Sequence, residues 1–196
     1  MENKFFLEKQ RTDINHFNYY YFSNAFTERE LFKIHQLGES YELAPAITGQ
    51  NEKPTDYRRS EVSWIEQAED SAWLYQKIAE LADTANKEMW NFDIWGYQDR
   101  FQYTKYYGGD KGHYDWHVDM GPYMSNRKLS CVLQLSDPSE YEGGDLQLNL
   151  GSEIRTVVKE KNILCFFPSF LLHRVTEVTK GTRISLVTWL CGANLR

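Results

Sequence analysis

A mainly β fold, a double-sheet barrel with two helices against one outer face, is what this chain predicts. Three observations carry that expectation. From Tyr97 onward, short β-rich segments recur with turn residues between them, the pattern of an all-β barrel. Ahead of them lie two stretches whose apolar residues recur at helical spacing. No internal repeat, low-complexity tract or linker interrupts the 196 residues, a length that suits one domain. Residues 1–196 are therefore expected to form a single domain, with 1–96 the helix-rich part and 97–192 the β-barrel core.

The elements follow in order. Residues 19–23 are expected to be extended. Thr27 and Glu30 form a T-x-x-E capping box, which predicts a helix running to about Leu37, where Gly38 stops it. Residues 41–57 contain Pro45, Gly49 and Pro54 and read as irregular or hairpin structure. Ser60 to Ile65 alternates as a strand does. Asp70 is expected to cap a second helix, in which Trp73, Leu74, Ile78, Leu81, Ala82, Ala85 and Met89 share helical spacing. The expected strands are 97–106, 113–119, 128–135, 145–149, 153–158, 162–167, 173–178 and 182–190. Gly143-Gly144 is read as a tight turn, because no helix follows to complete a phosphate site.

Composition narrows the function. The net charge is −6 and no run of Lys and Arg is present, so a nucleic-acid partner is disfavoured; Arg58-Arg59 is only a local basic pair. Cys131, Cys165 and Cys191 are odd in number, lack C-x-x-C spacing and sit in apolar stretches, as reduced buried thiols do. That points to a reducing compartment. The apolar patch in the first ten residues is too short for a signal sequence. The window Ile163 to Leu172 is interrupted by Pro168 and far shorter than a membrane span. The expectation is a cytoplasmic protein without a membrane segment, monomeric or homodimeric.

The chemistry concentrates in His113-Tyr-Asp-Trp-His117-Val-Asp119. Alternate side chains of a strand point the same way, so His117 and Asp119 would share one space. His173, following an apolar strand and turn, is the third donor expected there. Two imidazoles and one carboxylate form the facial triad that holds iron(II) and leaves the opposite face open, unlike the closed, Cys-rich sets of structural zinc. An H-x-D pair taken alone is equally a surface imidazole near a turn aspartate. Arg183 lies on an alternating strand whose one face carries Arg183, Ser185, Val187 and Trp189, the other Ile184, Leu186 and Leu190. An arginine pointing into a barrel needs an anion, either a bound dicarboxylate or an internal carboxylate such as Glu177. His113, preceded by Gly112, is expected outside the ligand set, and His16 and His35 read as ordinary surface or helix residues.

The run from Gln102 through Tyr106 and Gly109 to His117 and Asp119 resembles the Y-x-x-G…H-x-D signature of the prolyl-4-hydroxylase-like 2-oxoglutarate/iron(II) oxygenases. The blocks Lys128-Leu-Ser-Cys-Val-Leu-Gln-Leu-Ser, Tyr-Glu-Gly-Gly-Asp-Leu, Phe-Pro-Ser-Phe-Leu-Leu-His173-Arg-Val and Gly-Thr-Arg183-Ile-Ser-Leu-Val-Thr-Trp189 continue the pattern in order. The resemblance covers roughly residues 97–192 and implies a double-stranded β-helix, a form of jelly roll. It also implies Fe(II), with 2-oxoglutarate and O2 as co-substrates, and His117, Asp119 and His173 as metal ligands. Arg183 falls on the residue binding the distal carboxylate of the co-substrate, with Ser185 beside it. Tyr106 falls on a tyrosine of the 2-oxoglutarate pocket, although Tyr103 and Tyr107 compete for that assignment. Gln134 stands where some relatives carry a tyrosine.

The implied reaction is oxidative decarboxylation of 2-oxoglutarate to succinate and CO2, coupled to hydroxylation of a C–H bond in a peptidyl or free amino acid such as proline. The partner is then a peptide, protein or amino-acid substrate. From loop position, Tyr57, Arg58, Trp116, Tyr123 and Arg127 are the residues expected at the substrate mouth. Residues 41–57 and 120–127 are the loops expected to close over it. Two other readings stay open: a non-catalytic cupin-like module that senses 2-oxoglutarate or metal, and a nucleic-acid demethylase with the same iron chemistry.

Overall fold

The computed structural model describes residues 18–47, 56–122 and 124–193. Strand β1 (Tyr20–Phe22) leads into α1 (Glu28–Ser40). The capping box forms as its residues dictate: Thr27 Oγ1 accepts from the Glu30 backbone N–H, and the Glu30 carboxylate accepts from that of Thr27. Gly38 does not stop the helix, which continues to Ser40. Its role is packing, because a Cβ there would lie 2.4 Å from the Tyr103 ring.

Strands β2 (Ala44–Pro45), β3 (Arg58–Arg59) and β4 (Glu61–Ile65) precede α2 (Ala72–Met89). The N-cap of α2 is Ser71, not Asp70. The Ser71 hydroxyl is drawn back into the preceding turn, accepting from the Ala68 N–H and donating to the Glu66 carbonyl, so it leaves the helix amides uncapped.

The remaining strands are β5 (Ile94–Tyr97), β6 (Phe101–Tyr107), β7 (His113–His117), β8 (Arg127–Gln134), β9 (Tyr141–Gly143), β10 (Leu146–Asn149), β11 (Ile154–Thr156), β12 (Leu164–Pro168), β13 (His173–Val175) and β14 (Val178–Gly192). Two boundaries depart from expectation in ways that matter. The segment 97–106 is two strands, broken at the Gln98–Arg100 turn, and the last strand starts four residues early, because Val178–Gly181 pairs with β9.

All described pairings are antiparallel. A larger sheet runs β1-β12-β8-β14-β6-β4-β2, with β5 and β9 also paired to β14, and a smaller one runs β11-β10-β13-β7-β3. The fold is the jelly roll expected, with both helices on the outer face of the larger sheet. Strand parity explains why two cores form. On β8, β12 and β14, Leu129, Cys131, Leu133, Leu164, Phe166, Leu186 and Leu190 point outward and pack with Leu31, Ile34, Leu74 and Ile78 of the helices. The alternate residues Val132, Cys165 and Phe167 point inward, where they meet Leu146, Leu148 and Val175 of the smaller sheet. The three cysteines are buried and unpaired, as expected of reduced thiols. No helix among the described residues is long and apolar enough to cross a membrane.

Candidate metal and co-substrate site

The inner core does not fill the barrel. Between the sheets opens a cavity of about 690 Å³ whose lining includes His117, Asp119, His173, Tyr106, Arg183 and Ser185. It falls within the volume range of small-molecule sites.

β13 pairs with β7 so that His173 stands directly opposite His117. Asp119 lies just past the end of β7, where its backbone N–H donates to the Ser169 carbonyl. The strand alternation expected to align His117 with Asp119 thus ends at the imidazole itself, and this tether to the β12–β13 turn turns the carboxylate inward instead. His173 Nε2 lies 3.3 Å from Asp119 Oδ2, and His117 Nε2 lies 3.8 Å from Oδ1. One donor atom from each residue falls within 4.8 Å of the other two, a spacing that a single ion can bridge.

Both imidazoles are turned by their far nitrogens. His117 Nδ1 bonds the Asp115 carbonyl at 2.7 Å and His173 Nδ1 bonds the Leu171 carbonyl at 2.8 Å. A carbonyl only accepts, so Nδ1 carries the proton and each Nε2 lone pair faces the cavity. Burial, reinforced by the neighbouring His173, pushes His117 down to about 3, so its imidazole is neutral and ready to coordinate at pH 7. Burial alone would push the Asp119 carboxyl up. His173, His117 and the Ser130 hydroxyl outweigh it and hold the group well below the usual carboxylate range. The Tyr114 ring stacks on His117 at 3.5 Å, and Phe167 meets His173 edge-on.

Arg183 is only 1% exposed and forms no ion pair among the described residues, with Glu177 or any other carboxylate. Its Nη2 donates to Gln134 Oε1 at 2.9 Å, its Nη1 to Ser185 Oγ at 3.2 Å, and its guanidinium lies over Tyr106. Its Nε is buried without a partner. A buried guanidinium held only by neutral groups is costly, and a dicarboxylate would satisfy both the charge and the orphaned donor. The residues therefore fit the anionic co-substrate, and the two-imidazole, one-carboxylate set fits Fe(II).

Parity also separates the three tyrosines. Tyr106 faces the cavity with Gln102, whereas Tyr103 faces α1 and bonds His35 and Glu39. Tyr107 bonds Glu61. Of the expected mouth residues, Arg58 and Arg127 line the cavity; Tyr57 and Trp116 do not. Tyr57 donates to the Trp116 carbonyl, and Trp116 lies under Arg174, so both belong to the outer surface of the smaller sheet. Tyr123 and His16 lie outside the described residues, as does much of the 41–57 loop. Of the 120–127 loop, Gly121, Pro122 and Met124 reach the cavity. His113 bonds the Lys111 and Asp56 carbonyls and stands apart from the ligand cluster. Sequence reading missed Ser130, which donates to Asp119, and Gln102 and Tyr114. Strand parity with Val132 and Tyr106 was the available signal for Ser130 and Gln102. Tyr114 is three residues from His117, so alternation alone would send it to the other face, and it reaches the cavity through the irregular pairing of β7 with β13.

Fold and site together resemble those of 2-oxoglutarate/Fe(II) oxygenases of the prolyl-4-hydroxylase-like kind, and the residues present fit Fe(II) and an anionic co-substrate. Residues 101–191 match the family model of the 2OG-Fe(II) oxygenase superfamily. The chain is 38% identical over 129 residues to a PKHD-type hydroxylase of Synechococcus sp., covering 62% of this chain and 56% of that protein. It is 44% identical over 79 residues to one from Prochlorococcus marinus, covering 39% and 35%. The chain thus spans only part of the curated relatives it matches. Among solved structures, it resembles a prolyl hydroxylase from Trichoplax adhaerens in complex with a hypoxia inducible factor peptide fragment, with a TM-score of 0.76 at 18% identity, covering 91% of this chain and 85% of that one. A Pseudomonas putida prolyl-4-hydroxylase gives 0.69 at 19% identity, covering 89% and 92%. At these identities the likeness concerns the fold.

Proposed function

We propose that this protein is a 2-oxoglutarate- and Fe(II)-dependent dioxygenase that hydroxylates a C–H bond of a peptidyl or free amino acid, with proline the first candidate. The observation that carries this reading is the convergence of His117, Asp119 and His173 beside a buried arginine that has no carboxylate partner among the described residues. The hydroxylase names of the relatives support the same class.

When bound, iron and its co-substrates supply the oxidation: 2-oxoglutarate is decarboxylated to succinate and CO2, and one oxygen atom of O2 enters the C–H bond. The chain supplies position and dryness. His117, Asp119 and His173 would hold the metal. Arg183 anchors the distal carboxylate, with its planar fork oriented by Gln134 and Ser185 and its face covered by Tyr106. Val132, Leu146, Val187 and Trp189 wall the cavity and exclude water. No protein acid or base is required for the oxidation itself, and the buried cysteines stay outside it.

A direct test incubates the protein with Fe(II), 2-oxoglutarate and O2 against a proline-containing peptide library and methylated oligonucleotides in parallel, reading succinate. Succinate stimulated by peptide or amino acid is expected. Stimulation by oligonucleotide alone, or metal and 2-oxoglutarate binding without turnover of either, overturns the reading.

A further inference from the structure

Arg183 is not the only guanidinium enclosed in the cavity. β3 pairs with β7 so that Arg58 stands opposite Tyr114, and alternation sends the two neighbouring arginines to opposite sides. Arg59 faces solvent and pairs with Asp56; Arg58 points into the cavity and is 6% exposed. Its contacts are neutral: Nε to Ser60 Oγ at 3.0 Å, Nη2 to Gln102 Oε1 at 2.9 Å, and its guanidinium over the Tyr114 ring at 4.6 Å. They fix its direction without cancelling its charge, and it forms no ion pair among the described residues. Arg127, the other arginine lining the cavity, is matched by Asp99 at 2.9 Å.

We propose that Arg58 is a second anion-binding residue of this cavity, and that the primary substrate presents its own carboxylate to it, close to the carbon that is oxidised. The inference rests on the function proposed above and narrows its substrate class. Gln102 and Tyr106 share one face of β6, four residues and so roughly 13 Å apart. Arg183 lies over Tyr106 and Arg58 bonds Gln102, which puts the two guanidinium groups at opposite ends of one wall. In the function proposed above, the co-substrate's distal carboxylate would take the Arg183 end. The Arg58 end still adjoins the metal ligands, because Tyr114 contacts both Arg58 and His117.

Charge then chooses the substrate. With the site filled, the ion and Arg183 are balanced by Asp119 and the two carboxylates of 2-oxoglutarate, while Arg58 remains unmatched in a dry space. A substrate carboxylate would remove that imbalance, and a neutral substrate would leave it. The carboxylate could be the α-carboxylate of a free amino acid or the acidic side chain of a peptide.

The test is calorimetric titration of protein loaded with Mn(II) and 2-oxoglutarate. One arm uses free L-amino acids, proline included, against their carboxamides. The other uses end-capped prolyl peptides carrying Asp or Glu against their Asn or Gln counterparts. We expect the acid of at least one pair to bind about ten-fold or more tightly than its neutral partner. Arg58→Gln should erase that preference, Arg58→Lys should restore part of it, and 2-oxoglutarate affinity should stay within about two-fold in both. The arm showing the preference identifies the source of the carboxylate. Equal binding of acid and neutral partners, no binding by any acid, or a preference that survives Arg58→Gln overturns the proposal. Loss of 2-oxoglutarate binding in both variants does so too, by giving Arg58 a purely structural role. In each of these cases wild-type protein still binds Mn(II) and 2-oxoglutarate. If wild-type protein binds neither, the oxygenase reading itself fails.

Discussion

Ser130 Oγ donates a 2.6 Å hydrogen bond to Oδ2 of Asp119, and Ser169 Oγ lies 3.0 Å behind it. The contact holds the carboxylate in place toward the metal that His117, Asp119 and His173 would bind. Ser130→Ala should therefore lower Fe(II) or Mn(II) affinity by about 10- to 100-fold, the usual cost of losing such a support. Thermal stability should change little. Metal titration of the purified variant, with Ser130→Thr as the conservative control, checks this; unchanged affinity would show that Asp119 is held by its backbone tether alone.

Removing a ligand is more drastic. Asp119→Ala or His173→Ala should abolish 2-oxoglutarate turnover while circular dichroism stays that of the wild type, because these side chains line a cavity rather than fill a core. Retained succinate formation in either variant would contradict the assignment.

Arg183 separates binding from stability. Arg183→Met should weaken 2-oxoglutarate binding by ~1.5–3 kcal/mol, the range for hydrogen bonds to a charged group, and should affect metal binding less. The same change removes a buried, unneutralised charge, so the ligand-free variant should melt no lower than wild type. A large drop in its melting temperature would mean that Arg183 serves the fold instead.

Gly38 tests the packing of α1. Gly→Ala inside a helix normally stabilises. Here the new methyl would meet the Tyr103 ring, which is packed on all sides, so a loss of about 1–3 kcal/mol is expected by denaturant titration.

His35 should make stability pH-dependent. Burial, with Lys161 adding to it, lowers the pKa of this histidine below 6.5, and its ring bonds the Tyr103 hydroxyl. The unfolded chain then binds the proton more readily than the folded one. The contribution is fully present above pH 6.5 and is lost as the pH falls toward the folded-state pKa. His35→Gln should flatten that part of the stability profile.

What the residues alone determined is everything written in local periodicity. The Thr27 and Glu30 cap, the helical spacing around Ile78, and the parity that turns Arg183 inward and Leu186 outward are properties of neighbours in the chain, and they form as read. The order of motifs also singled out His117, Asp119, His173 and Arg183, which the structure brings together around one cavity. Tertiary structure decided what depends on residues far apart. It gave Gly38 to the Tyr103 ring rather than to a helix end, and drew the Ser71 hydroxyl away from capping. It turned Asp119 inward through the Ser169 carbonyl, chose Tyr106 over its two neighbours, and left Tyr57 and Trp116 outside the cavity. It also enclosed Arg58 without a matching carboxylate. Periodicity states which way a side chain points, whereas the partner it meets there is set by the pairing of strands that lie far apart in sequence.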